Sequence, residues 1–246
     1  ALDRRQRQMC IRDSFMTMSE TIEKHFNNSS IKVGVLSGPN LAREIADEKV
    51  AGTVIASKHA DLCHLGREIL SSSTFKIYTS ADTQGIELAG ALKNIYAIIS
   101  GYCHSLDVGE NAIGLILTRS MAEMSNFAVS KGANPITFLG LAGMGDLVAT
   151  CFSKLSRNYQ FGWAIGEGLD IEAAKNKVGQ VAEGLNTIKI IHSEISSSEI
   201  KMPLVSGIHE ILFNNGSKEL LLEQIINSEI YVCLLYTSDA ADDLTR

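Results

Sequence analysis

Residues 85–102, GIELAGALKNIYAIISGY, constrain the fold more than any other stretch of this chain. Leu88, Leu92, Ile95 and Ile99 recur at helical spacing on one face, and Ala89, Ala91, Tyr96, Ala97 and Ile98 leave almost no polar face opposite. A helix that is apolar nearly all round has to be buried on every side, so the rest of the chain must pack around it. Lys93 and Asn94 are carried into that interior. An unpaired buried ammonium is costly, and desolvation lowers a lysine pKa, which makes the side chain a proton donor and acceptor near neutral pH. Two readings stay open: Lys93 snorkels to the surface, or it serves a functional site. The missing polar face tilts toward the second.

The two ends are set aside from fold reasoning. The codons TGT CTC TTA TAC ACA TCT GAC GCT GCC GAC spell Cys233 to Asp242, and their reverse complement in another frame spells Arg5 to Asp13. One DNA string in two orientations encodes both ends, which resembles a sequencing adapter translated along with its insert. Residues 1–14 and 233–246 are therefore expected to be adapter-derived tails around a biological insert of 15–232.

The tails carry +2 and −2, so the insert keeps the net charge of −6 without a basic tract. That argues against nucleic acid or an anionic membrane surface as the main partner. Cys63, Cys103 and Cys151 of the insert lack paired metal-ligand spacing and are expected to be reduced thiols of a cytosolic protein. No apolar run approaches the ~18 residues of a membrane span.

Met16 to His25 reads as the end of an amphipathic helix and Asn27 to Ser30 as a loop. Ile31 to Leu36 is a predicted strand that stops at Ser37-Gly38-Pro39-Asn40 and hands over to a helix, Leu41 to Glu48, with Pro39 in its first turn. Strand 50–57, helix 60–70 and strand 75–79 follow, an α/β alternation. A strand ending at a glycine before a helix start either presents free N–H groups to an anion or is an ordinary turn.

A domain boundary is expected at 81–84, because only helical patterns follow. Asn111 to Val129 is a second long helix whose Ile113, Leu117, Met121 and Met124 stripe reads as core. Arg119 and Glu123, four apart, are placed as a pair on its other face. Gly143 and Gly145 bracket a turn into Asp146, taken as a helix N-cap or more. Thr150, Ser153, Ser156, Arg157 and Asn158 then assemble hydroxyls, an amide and a guanidinium, the groups that hold a phosphate. Glu183 lies just inside a further helix. Met202-Pro203-Leu204 breaks the pattern, and helices at 205–213 and 220–226 close the chain as scaffold.

SGPNLAREI, GALKN, GENA (109–112), TRSMAEM, GLAGMGDLVATC, SRN and GQVAEG, in this order and at these separations, resemble the NAD(P)-dependent glycerol-3-phosphate dehydrogenase family, bacterial type. The resemblance implies an α/β remnant of a Rossmann domain (15–80) followed by an all-α 6-phosphogluconate-dehydrogenase-like C-terminal domain (85–232). It also implies interconversion of sn-glycerol 3-phosphate and dihydroxyacetone phosphate with NAD or NADP, supply of glycerophospholipid synthesis, a cytoplasmic location and a homodimer. By motif, Lys93 is the general acid/base and Asp146 orients it and a substrate hydroxyl. Ser156, Arg157 and Asn158 grip the phosphate, with Thr150 beside them and Gly38 and Asn40 on the substrate. Ala42, Arg157, Val181 and Glu183 touch the cofactor. Asn40 stands where Ser or Thr is common, and Ser120 where the family pattern has Gly.

A Rossmann fingerprint needs G-x-G-x-x-G between a strand and a helix, and the insert contains none; Gly140, Gly143 and Gly145 have the wrong spacing. The insert is accordingly expected to begin inside the cofactor domain, leaving half a parallel sheet with an exposed edge, and the chain as written to bind dinucleotide poorly and turn over little or nothing. Two alternatives remain: another dehydrogenase of the same helical-domain superfamily acting on a different hydroxy acid, and a non-enzymatic helical interaction module in which Lys93 is structural.

Overall fold

The computed structural model describes residues 16–26, 31–179 and 182–227; both tails set aside above lie outside them. A short helix α1 (Met18–Phe26) precedes an α/β unit of β1 (Val35–Ser37), α2 (Ala42–Ala46), β2 (Ala51–Ala56), α3 (Ala60–Leu70) and β3 (Phe75–Ser80). The helical part runs α4 (Thr83–Ser105), α5 (Glu110–Ser130), α6 (Pro135–Leu139), a π-helical turn (Leu141–Gly145), α7 (Asp146–Phe152), α8 (Arg157–Gly166), α9 (Ile171–Val178), α10 (Glu183–Ser196), α11 (Pro203–Phe213) and α12 (Lys218–Asn227). The architecture is a short Rossmann-type sheet followed by a mostly helical C-terminal part. Among the described residues no helix is long and apolar enough to cross a membrane.

The sheet has the order β1-β2-β3. β2 and β3 are parallel, with Ala51 opposite Phe75 and Ala56 opposite Ser80, and α3 is the crossover between them. The expected parallel arrangement fails at β1, which runs antiparallel to β2 with Leu36 opposite Ile55. The cause is the five-residue α2, too short to return the chain along the sheet; the backbone turns back at Glu48 (φ 56°) and enters β2 from the same end. β1 is also shorter than predicted and shifted to 35–37, because β2 ends at Ala56. Residues 31–34 have no strand opposite them, and the Ser57 hydroxyl donates to the Val33 carbonyl instead (2.6 Å).

Asp82 caps α4 by accepting from the Gly85 N–H (2.8 Å), and its other oxygen takes the Thr137 hydroxyl (2.6 Å) and the Asn134 N–H (3.0 Å), fixing α6 to the start of α4. Leu92, Ile95, Tyr96, Ala97, Ile98 and Ile99 are all fully buried, so the all-round apolar helix is indeed enclosed. Its most intimate neighbour is α8. A Cβ at Gly162 would lie 1.9 Å from the Ile98 carbonyl oxygen, and one at Gly101 would lie 2.0 Å from that of Tyr159. The two helices therefore touch backbone to backbone, a distance only glycine permits.

The Met stripe of α5 is core, with Ile113, Met121 and Met124 buried. Arg119 and Glu123 depart from expectation: both are buried rather than on an outer face. α4, α11 and α12 cover α5 on that side, so Glu123 accepts from the Tyr96 hydroxyl (3.1 Å) and the Leu204 N–H (2.7 Å), and Arg119 donates to the Ile226 carbonyl (3.0 Å). Burial pushes the Glu123 carboxyl up to about 8. Cys63, Cys103 and Cys151 are buried free thiols.

Candidate active site

An open cleft of about 1020 Å³ lies between the β1–α2 connection, α4, α7 and the N-termini of α8 and α10. Lys93, halfway along α4, reaches it from the core side. Its Nζ donates to Oδ2 of Asp146, so the ammonium is paired rather than buried alone. The lysine side chain retains 19% exposure while the aspartate side chain retains 2%; the pair opens to the cleft at its cationic end.

Asp146 is the first residue of α7, not an N-cap after a loop. The π-helical turn leads directly into it, and that turn needs Gly143, where a Cβ would lie 2.2 Å from the Phe138 carbonyl oxygen. Burial pushes the Asp146 carboxyl up; Lys93, then the Thr150 hydroxyl and the Gly38 N–H, pull it back. Thr150, one turn along α7, donates to the Asp146 carbonyl (2.6 Å) and lies 3.2 Å from Oδ1.

Ser156 caps α8 by accepting from the Tyr159 N–H (3.3 Å), which leaves its own O–H as a donor. The first N–H groups of α8 have no intrahelical acceptor, and Arg157 and Asn158 follow the cap directly. Arg157 meets Glu183, the first residue of α10, at 3.4 Å. Burial raises the Glu183 carboxyl, and the Arg157 and Lys93 charges oppose that rise. Asn158 is engaged on both sides: its Nδ2 donates to Asn94 Oδ1 (3.0 Å), and its Oδ1 accepts from the Gly184 N–H (3.0 Å). That amide ties α4, α8 and α10 together, a positioning duty beyond the expected phosphate contact.

On the sheet side Gly38 (φ 153°) brings its backbone against β2, where a Cβ would lie 3.0 Å from Thr53 Cα. Asn40 Nδ2 donates to Thr53 Oγ1 (2.8 Å), which donates on to the Ser37 carbonyl (3.0 Å). Asn40 Oδ1 is a buried acceptor without a hydrogen-bond partner among the described residues.

Ten of the residues singled out in the sequence, Gly38, Asn40, Ala42, Lys93, Asp146, Thr150, Ser156, Arg157, Asn158 and Glu183, line this one cleft. Val181 lies outside the described residues. Asn94, the last residue of GALKN, also lines the cleft although no site role was given to it, and so does Glu87, which lies outside every quoted motif. Glu87 holds the start of α1 there by accepting from the N–H (2.9 Å) and hydroxyl of Ser19. Their signal was present: each is a polar residue inside an otherwise apolar helix.

A buried acid beside a lysine, with an arginine at a helix N-terminus, suits proton transfer on a small anionic substrate. A glycine-rich loop for the diphosphate is absent among the described residues.

The model of the NAD-dependent glycerol-3-phosphate dehydrogenase C-terminus matches residues 82–223, and that of the N-terminus of the same enzymes matches 10–63. Over 216 residues the chain is 50% identical to a glycerol-3-phosphate dehydrogenase [NAD(P)+] of Pseudomonas putida and 49% identical to one of Pseudomonas syringae pv. tomato. These alignments take in 88% of this chain and 63% of each relative, so the chain spans under two thirds of their length. The crystal structure of glycerol-3-phosphate dehydrogenase from Coxiella burnetii superposes with a TM-score of 0.81 at 33% identity, over 85% of this chain and 64% of that one. The yeast enzyme GPD1 gives 0.76 at 28% identity, over 86% and 64%.

Proposed function

The chain belongs to the NAD-dependent glycerol-3-phosphate dehydrogenase family, and from that premise we propose that its parent enzyme interconverts sn-glycerol 3-phosphate and dihydroxyacetone phosphate. The observation that carries this reading is the Lys93–Asp146 pair, facing the same cleft as the N-terminus of α8 with Arg157.

Lys93 handles the proton at the C2 oxygen. Its ammonium donates to the carbonyl oxygen when the ketone is reduced, and its amine takes the hydroxyl proton when the alcohol is oxidised. Asp146 holds that side chain at the mouth of the core. Arg157 and the N-terminal amides of α8 hold the phosphate, with Ser156 and Asn158 completing its contacts, while the Thr150 hydroxyl proton goes to Asp146. Gly38 and Asn40 close the substrate side, and Asn40 Oδ1 is an acceptor ready for a substrate hydroxyl.

The nicotinamide, when bound, supplies or takes the hydride at C2. Ala42, Arg157 and Glu183, with Val181 beyond the described residues, border its place. The domain division at 81–84, the adapter origin of 1–14 and 233–246, a cytoplasmic location, a role in glycerophospholipid synthesis and a homodimeric parent belong to the same reading. So does the expectation that this chain alone turns over little or nothing.

The test is a fusion of a relative's nucleotide-binding half onto 15–232, assayed with dihydroxyacetone phosphate and NADH or NADPH. Activity that Lys93→Ala removes supports the reading; a folded but inert fusion overturns it.

A further inference from the structure

Outside the cleft, α10 and α11 bring three metal-ligating side chains together. The rings of His192 and His209 lie parallel, 3.7 Å between centroids and 6° from coplanar. The Glu210 carboxylate stands 3.8 Å from His209 Nδ1. One ligand atom of each of the three lies within 4.8 Å of the others. None of the three lines the cleft described above.

We infer that His192, His209 and Glu210 form a binding site for a divalent transition-metal ion of borderline softness, such as Zn²⁺, Co²⁺ or Ni²⁺. Two imidazoles and a carboxylate are the ligand set such ions take, leaving an open position for water. Two ligands of a tetrahedral ion with bonds of about 2.0 Å stand about 3.3 Å apart, and the ligand atoms of the three side chains already lie within 4.8 Å of one another. His209 Nδ1 is a buried ring nitrogen without a hydrogen-bond partner among the described residues. A buried polar atom left this way is costly, and an ion would satisfy it.

The support is rigid, since all three side chains project from packed helices. Asn214 Nδ2 donates to Glu210 Oε1 (3.0 Å), the oxygen that faces His209 Nδ1, which orients the carboxylate toward the ring and leaves lone-pair capacity for an ion. Lys189, whose charge is felt by His209, sits over the Phe213 ring at 4.6 Å. Parallel rings aim their lone pairs side by side, so ligation turns one ring toward the other and ends the stacking.

The experiment uses the full chain freed of metal by chelation and titrated with cobalt(II) chloride, then zinc chloride, alone. The expected result is one saturating equivalent, a cobalt spectrum of nitrogen and oxygen ligation without thiolate charge transfer, and a melting temperature that rises with metal concentration. His192→Asn, His209→Asn and Glu210→Gln should each weaken binding by at least about tenfold while keeping the far-ultraviolet circular dichroism of the parent. If His209→Asn fails to fold, the other two decide. No saturable binding, a thiolate spectrum, or parental affinity in any folded variant overturns the inference.

Discussion

Lys93 and Asp146 stand 53 residues apart in sequence and form an ion pair in which the acid is almost wholly enclosed and the base looks into the cleft. That asymmetry predicts unequal costs. Lys93→Met leaves a buried carboxylate with only Thr150 and the Gly38 N–H, and should destabilise the chain by about 3 kcal/mol. Asp146→Asn leaves a lysine able to turn to solvent and should cost only about 1 kcal/mol. Urea denaturation of the two variants checks the ordering. A Lys93→Met chain more stable than the parent would revive the view of Lys93 as a structural residue of a non-enzymatic module.

Glu123 governs a pH dependence. Its carboxyl titrates at about 8 in the fold because of burial, against about 4.3 in an unfolded chain. Between those values the unfolded state loses its proton and the folded state keeps it, so this group makes stability fall as pH rises from about 4.5 to 8. Glu123→Gln keeps an acceptor for the Leu204 N–H and a donor for Tyr96 without the charge. It should flatten that slope and be the more stable protein at pH 8 by about 1–3 kcal/mol. Thermal melts of both proteins across that range give the answer; parallel slopes would disprove the assignment.

Gly162→Ala should prevent the α4–α8 contact. The added methyl meets the Ile98 carbonyl, which cannot move without shifting α4. A loss of at least about 3 kcal/mol is expected. Gly114→Ala, with nothing within 4 Å of the added carbon, is the control and should be neutral or stabilising.

Asn158→Asp replaces the amide that donates to Asn94 with an oxygen facing an oxygen. The Gly184 N–H keeps its acceptor, so the loss combines the broken bond to α4 with the burial of a new carboxyl. A cost of about 1–3 kcal/mol is expected, read by chemical denaturation, and in the fused enzyme a raised KM for dihydroxyacetone phosphate.

The buried helix at 85–102 was legible because its apolar residues leave no outer face, and α3 was legible over 60–70 to the residue. The direction of β1 was not, since it depends on how short α2 is and where the chain reverses. The π-helical turn before Asp146 was read as a glycine-bracketed bend, because one wide turn leaves no periodic trace. Arg119 and Glu123 looked like a surface pair because four-residue spacing says nothing of what later covers it; α11 and α12, some 80 and 100 residues on, do so. The cleft residues were found through motifs, yet the pairing of Lys93 with Asp146 and the bridge through Asn158 are long-range contacts that no local pattern encodes.

The backbone-to-backbone contact of α4 and α8 has a consequence for evolvability. The lysine and the helix N-terminus assigned to the phosphate are spaced by main-chain atoms, and no side chain at that interface can grow or shrink to alter the spacing. A descendant of this protein seeking a longer or shorter substrate would have to change the 153–156 loop or the sheet side of the cleft. Drift within the helical interior would leave its reach unchanged.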